Sequence, residues 1–211
     1  MKVEMLKKTA DIFAKLAVTS SDLLEKAAAE KDPSKRDLYI GIAAYELRKY
    51  EEAIESLKNS YKSSKSGEAA ARLAMCYFRL DDFNGMKIWS EAALETNPDG
   101  QMKALVAKNM ISYASLAAIA SFGLGEVEPA SEFANKALSI DAGDLSATDI
   151  LVRSNLVKGE ENKAQEVAME FGLEPQFETL RESWNLDRLI LDGTGKLPSF
   201  YRSGFMASER A

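Results

Sequence analysis

Residues 68–98, EAAARLAMCYFRLDDFNGMKIWSEAALETNP, hold the pattern that decides the fold. Apolar residues recur at helical spacing in two runs, the first from Ala70 to Tyr77 and the second from Phe83 to Ala93. Pro98 follows the second run and cannot continue a helix, because it has no backbone N–H to donate. The stretch therefore predicts a helix hairpin.

The same pattern recurs along the chain. One position marks each copy, the residue expected where the two helices of a hairpin touch. In successive copies this residue is Ala53, Met86, Ala130 and Ala164, at spacings of 33, 44 and 34 residues. Gly125 and Gly159, which fit the turns between helices, are also 34 residues apart. A fixed period of this length is the signature of a helical repeat array.

The copy that begins at Glu68 resembles the tetratricopeptide repeat. Leu73, the small Ala74, Tyr77 and Pro98 keep the order and spacing of that motif, whereas Ala70, Met86 and Ser90 depart from it. The resemblance covers about residues 34–171. It implies an all-α, right-handed solenoid that acts by binding and carries no active site.

The chain divides into four parts within one continuous solenoid. We expect a divergent helix hairpin over 1–33, tetratricopeptide-like repeats over 34–171, a capping helix over 172–191 and a tail over 192–211. The expected helices are 2–17, 20–31, 35–48, 50–64, 67–80, 83–96, 100–123, 126–140, 144–158, 160–171 and 175–191. The 44-residue spacing adds ten residues, which we place in 100–123 as about three extra helical turns. Ser34, with Asp37 three residues on, is the expected cap of its helix, and Asp144 is the expected cap of a later one.

Composition excludes several kinds of site. The chain has no histidine and one cysteine, Cys76, so it lacks His-dependent triads and a thiolate zinc site. We expect no catalytic residues, no cofactor and no metal, and a buried structural role for Cys76.

Charge and hydropathy limit the partners and the compartment. The net charge of −6 does not favour nucleic acid or an anionic membrane surface. The longest charge-free run, Asn109–Gly125, has 17 residues, short of the ~20 that span a bilayer. The N-terminus lacks the pattern of a secretory signal. Together with the single cysteine, these features favour a cytoplasmic location.

In the tetratricopeptide family the first helix of each hairpin lines the concave side. Carried over by residue, the resemblance implies a groove formed by Leu38, Ile42, Tyr45, Ala71, Met75, Phe78, Arg79, Ser115, Ile119, Phe122, Asp149, Arg153 and Leu156. These side chains are mostly apolar and do not match the lysines and asparagines that clamp acidic chaperone tails. We expect an apolar or amphipathic protein segment as the partner, with Arg79 or Arg153 binding a carboxylate. Core packing is the alternative for several of these residues, and for Tyr45 and Phe78 both readings are open.

The tail carries large apolar residues that a solvated terminus would not favour. These are Phe200, Tyr201, Phe205 and Met206. They predict contacts with the chain's own solenoid or with a second copy, and a frayed terminus is the alternative. Three functions follow: an adaptor or chaperone-like binding module, which we favour; an assembly subunit of a homo-oligomer that uses 100–123 and the tail; and, least favoured, an enzyme.

Overall fold

The computed structural model describes residues 19–96, 103–106, 109–179 and 181–182. Within them the chain forms helices joined by short turns, with one pair of short strands. The helices are α1 (19–29), α2 (Pro33–Glu46), α3 (Tyr50–Ser64), α4 (Gly67–Arg79), α5 (Phe83–Thr96), α6 (Tyr113–Gly123), α7 (Val127–Ile140), α8 (Leu145–Val157) and α9 (Glu161–Glu170), followed by helical residues 174–179 and 181–182. The strands are β1 (Lys103–Val106) and β2 (Asn109–Ser112).

Each helix packs mainly against its neighbours in the chain. The pairs α2/α3, α4/α5, α6/α7 and α8/α9 form hairpins, and each hairpin packs on the next through α3/α4, α5/α6 and α7/α8. Such nearest-neighbour packing is the arrangement of a solenoid. The expected all-α helix-hairpin solenoid is confirmed.

The residues used to follow the repeat lie inside the packed core. Ala53, Ala130 and Ala164 are fully buried, and Met86 is 1% exposed. Across from Ala53, Gly41 of α2 is so close to α3 that an added Cβ would lie 2.6 Å from Cγ of Leu57. Small residues at these places let the helices of a hairpin approach closely.

The first helix of every hairpin ends in the same way. In each hairpin, one residue after the first helix adopts a left-handed backbone conformation. From the first hairpin to the fourth, these residues are Arg48, Asp81, Gly125 and Gly159. The next N–H donates to the carbonyl five residues back, as from Lys49 to Ala44, with N···O distances of 2.9 Å in all four turns. This Schellman arrangement satisfies carbonyls that the helix leaves without partners.

Side-chain caps fix where several helices begin. Asp144 accepts a hydrogen bond from the N–H of Ala147 at the start of α8, as expected. The expected cap Ser34 is wrong: α2 begins at Pro33, and Asp32 accepts from the N–H of Ser34 instead. Proline suits the first helical position, and the Ser34 hydroxyl donates to the carbonyl of Ser60 in α3.

The expected helix over 100–123 is wrong in its first half. Residues 103–106 and 109–112 pair as an antiparallel hairpin in which Lys103 lies opposite Ser112, and helix α6 begins at Tyr113. Ser112 has an extended backbone (ψ 152°), and its Oγ accepts from the N–H of Ser115. An N-cap residue with this extended backbone cannot lie inside a helix, so α6 cannot extend back through Ser112.

Parts of the expected organisation fall beyond the described residues. The helix 2–17, the tail 192–211 and half of the capping segment 172–191 lie there. In the described part of the capping segment, residues 174–179 are helical and Phe177 is 4% exposed.

Candidate functional site

The first helices α2, α4, α6 and α8 present equivalent residues on one side, which we call the first-helix face. Ile42, Met75, Ile119 and Arg153 occupy its centre, at spacings of 33, 44 and 34 residues. These are the spacings of the helix-contact residues Ala53, Met86, Ala130 and Ala164, so the four central residues occupy the same place in successive hairpins. The central position of the face is therefore apolar in the first three hairpins and is an arginine in the fourth.

Most of the residues expected in the groove are buried. The partly exposed ones are Leu38, Arg79 and Asp149, whereas Met75 is 2% exposed and Ile119 is 7% exposed. The remaining residues of the predicted groove, Ile42, Tyr45, Ala71, Phe78, Ser115, Phe122, Arg153 and Leu156, are also buried. Their role as a partner surface stays a prediction.

Tyr45 and Arg79 connect the face across two hairpins. Arg79 Nε of α4 donates to the Tyr45 hydroxyl of α2 at 3.2 Å. Burial raises the pKa of Tyr45, and the guanidinium opposes that rise without cancelling it. Tyr45 is therefore neutral near pH 7 and serves as a hydrogen-bonding partner that holds Arg79 on the face.

An ion pair lies at the other end of the face. Arg153 Nε donates to Asp149 Oδ1 at 2.8 Å, one turn apart on α8, and the two side chains are 10% and 17% exposed. A poorly solvated, charge-assisted hydrogen bond of this kind fixes both side chains. The cation of α8 is thus held in place on the face.

Helix α4 adds a charge that the sequence reasoning missed. Arg72 is 6% exposed, and Glu68 Oε1 lies 3.9 Å from its guanidinium; among the described residues its Nε has no hydrogen-bond partner. Burial, with Glu68 adding to the effect, raises the pKa of the adjacent Tyr113 to about 12. The sequence did indicate where this charge lies, because Glu68, Arg72, Met75 and Arg79 follow helical spacing along one side of α4.

Ser115, expected in the groove, takes part in a polar joint between α6 and α8. Its Oγ donates to Asp144 Oδ2 at 2.5 Å, and Ser112 Oγ donates to the same oxygen at 3.2 Å. Asp144 also caps α8 through the N–H of Ala147. One carboxylate therefore joins the N-terminal ends of two first helices.

The described ranges hold no cluster of three or more His, Cys, Asp or Glu side chains placed to bind a metal ion. Cys76 is fully buried on α4, and burial raises its pKa to about 12, so it is a thiol at neutral pH. Among the same residues no helix has the length and hydropathy to span a bilayer.

Comparison with known proteins gives structural likeness only. No family model matches the chain, and no curated protein does. A crystal structure of MamA superposes with a TM-score of 0.60 at 18% identity, over 82% of this chain and 94% of that one. The fold is tetratricopeptide-like. A structure of MamA 41-end from Desulfovibrio magneticus RS-1 agrees, with a TM-score of 0.61 at 19% identity over 82% and 93% of the two chains. At these identities the likeness speaks for the fold and leaves the function open.

Proposed function

We propose that the chain is a non-catalytic protein-interaction module, an adaptor or chaperone-like protein that holds a segment of a partner on the first-helix face. The repetition of Ile42, Met75, Ile119 and Arg153 at one place on four helices carries the proposal. A solenoid multiplies one surface position into an extended binding surface. The chain would use that surface in place of a pocket.

The chemistry of the face supports an apolar or amphipathic segment with one acidic group. Ile42, Met75 and Ile119 are buried, so a bound segment would contact them only after the face opens, and methionine adapts to partners of different shape. Arg79 is partly exposed, and Arg153 lies at the end of the face. Either guanidinium can bind a carboxylate in a bidentate manner, which would set the orientation of the bound segment.

Affinity capture with full-length variants tests the proposal. Leu38→Glu with Arg79→Glu places two like charges on exposed parts of the face, and we expect the captured partner to be lost. Met75→Glu with Phe78→Glu is a stronger version that circular dichroism must first show to be folded, because both side chains are buried. Ile88→Glu is the matched control, since Ile88 lies on a second helix and is 63% exposed. Capture of the same protein by wild type and folded double variants would overturn the proposal.

The second candidate is a structural or assembly subunit that associates through residues 100–123 and the tail. The strand hairpin favours it, because β1 and β2 form a sheet of two strands in the described part of the chain, and the outer edges of such a sheet can pair with another chain. Light scattering over a wide concentration range tests this function. A monomer mass throughout contradicts it.

A further inference from the structure

A basic surface lies on the second helices and outside the first-helix face. Residues 58–65 contain three lysines and no acidic residue, although the net charge of the chain is −6. Lys58 and Lys62 are one turn apart on α3, Lys65 is the C-cap of that helix, and all three are exposed. In the described part of the chain none of the three forms an ion pair with a carboxylate. Their positive charge is therefore available to a partner.

Aromatic rings hold two of these lysines. Lys65 Nζ lies 4.8 Å from the centre of the Tyr61 ring, and Lys58 Nζ lies 5.6 Å from the centre of the Tyr77 ring on α4. An ammonium group within about 6 Å of a ring centre is attracted to the electron-rich face of the ring. Both lysines are thus partly ordered before binding, so they lose less conformational freedom when they bind an anion.

The rings extend this surface from α3 to α5. Tyr61 of α3 and Trp89 of α5 meet edge to face, with ring centres 5.1 Å apart and ring planes at 88°. Tyr77 also lies against α5, because a Cβ added at Gly85 would overlap its ring. Three partly exposed rings therefore accompany the three lysines. We call this surface the second-helix patch, and it is formed by Lys58, Tyr61, Lys62, Lys65, Tyr77 and Trp89.

We propose that the second-helix patch is a second binding site, which takes a short acidic segment of a partner protein with an aromatic side chain among its carboxylates. Charge complementarity supports this occupant, since the lysines of the patch are not neutralised by the described carboxylates. Lys58 and Lys62 are ~6 Å apart along α3, at ~1.5 Å per residue. Side chains two residues apart in an extended segment are ~6.7 Å apart, so two carboxylates can meet both lysines. The rings of Tyr61 and Trp89 offer apolar contact to an aromatic side chain of the segment.

Nucleic acid fits this surface less well. The lysines lie over the rings of Tyr61 and Tyr77, on which the bases of a single strand would otherwise stack. The first half of α3 also carries exposed carboxylates, at Glu51, Glu52 and Glu55. A long chain of phosphates would be repelled by these groups, whereas a segment with two or three carboxylates is short enough to avoid them.

A fluorescence titration of the full chain tests the proposal with a defined probe. Trp184→Phe leaves Trp89 as the only tryptophan of the sequence, so its emission reports binding at the patch. The probe is the peptide EEFEE, and QQFQQ is its neutral control. We expect EEFEE to change the emission of Trp89, with an affinity that falls about tenfold between 50 and 500 mM NaCl because salt screens exposed charges. QQFQQ should bind at least about tenfold more weakly.

Two matched variants in this background locate the binding. The test variant removes the three charges of the patch through Lys58→Gln, Lys62→Gln and Lys65→Gln. It should lower the affinity for EEFEE about tenfold, because each exposed ion pair contributes modestly. The control variant makes the same change of net charge on α1, α7 and α9 through Lys26→Gln, Lys136→Gln and Lys163→Gln, and it should bind EEFEE as before.

Several results would overturn the inference. They are an unchanged Trp89 emission with EEFEE, equal affinities of the test and control variants, and tighter binding of an oligothymidylate than of EEFEE. Leu38→Glu with Arg79→Glu should leave EEFEE binding intact, and loss of binding in that variant alone would assign the acidic segment to the first-helix face. If capture through the first-helix face fails while EEFEE still binds the patch, only the function proposed above is wrong.

Discussion

The four left-handed turns that end the first helices allow the energetic cost of a left-handed backbone to be measured with little interference from side-chain contacts. Gly159 has a φ of 76° and Arg48 has a φ of 61° at the same place in different hairpins. A Cβ added at Gly159 would have no atom within 4 Å. Gly159→Ala therefore changes only the conformational preference of the backbone, and Arg48→Gly makes the opposite change.

The size of the effect follows from two opposing terms. A Cβ in the left-handed region costs about 1–2 kcal/mol. Glycine loses about 0.5–1 kcal/mol more conformational freedom than alanine on folding. The difference gives a loss of about 1 kcal/mol for Gly159→Ala and a gain of about 0.5–1 kcal/mol for Arg48→Gly. In a chain of this length, 1 kcal/mol shifts the Tm by about 2–4 °C.

Urea unfolding followed by circular dichroism measures both changes. Gly143→Ala is the matched control, because Gly143 has no positive φ and the added Cβ would meet only the Asp141 side chain, at 3.3 Å. Its effect should be smaller than that of Gly159→Ala, because its backbone is not left-handed and the contacted atom is the end of a side chain that can shift. Arg48→Ala is the second control, since it removes the guanidinium and keeps the Cβ. Equal effects of the glycine-to-alanine changes at 143 and 159, or equal stability of Arg48→Gly and Arg48→Ala, would refute this account.

Four further predictions concern the core and the joint between α6 and α8. Asp144→Ala should lower the free energy of unfolding by about 2–3 kcal/mol, because it removes a helix cap and the partner of Ser115; an effect below that of an isolated cap would contradict the shared role. Cys76 should react with a thiol reagent at pH 8 only as fast as the protein unfolds, since burial raises its pKa to about 12; rapid labelling of the native chain would contradict it. Because burial raises the pKa of this thiol to about 12, the unfolded chain, with a thiol pKa of about 8.5, loses the proton first as the pH rises. Below pH 8.5 the thiol's contribution to the free energy of unfolding is complete, and between pH 8.5 and 12 that free energy should fall by up to about 1.4 kcal/mol per pH unit relative to Cys76→Ala. Parallel stability curves for wild type and Cys76→Ala would contradict this prediction. Gly41→Ala should lower the free energy of unfolding by up to about 2 kcal/mol, because overpacking against Leu57 exceeds the gain in helix propensity; a more stable protein would show that α3 moves freely.

The regular part of the fold was predictable because its signals agree at several levels. Hydrophobic periodicity, the small residues at helix contacts and the turn glycines all point to the same hairpins, and consistency of this kind makes a sequence readable. Ala53, Ala130 and Ala164 are fully buried, and Cys76 is buried as expected. Two of the four left-handed turns carry Arg48 and Asp81, so a search for glycine alone finds only half of them.

The inserted residues were not predictable in this way. Their composition favours a helix, yet 103–106 and 109–112 form strands and α6 begins only after Ser112, whose hydroxyl also donates to Asp144, 32 residues further on. No local window contains both partners of that contact. The first-helix face has the same limitation, since periodicity places Met75 on the face but burial depends on what lies across from it.

The carboxylate of Asp144 has a consequence for how the array unfolds. In a linear array, each hairpin would open independently if the contacts with its neighbours were weak, and cooperativity resides in the junctions. Here the start of α6 and the start of α8 share one acceptor, so loss of α8 also leaves the hydroxyls of Ser112 and Ser115 without their anion. The third and fourth hairpins should therefore melt as a single unit, and native-state hydrogen exchange would report one common opening free energy for the first turns of both helices.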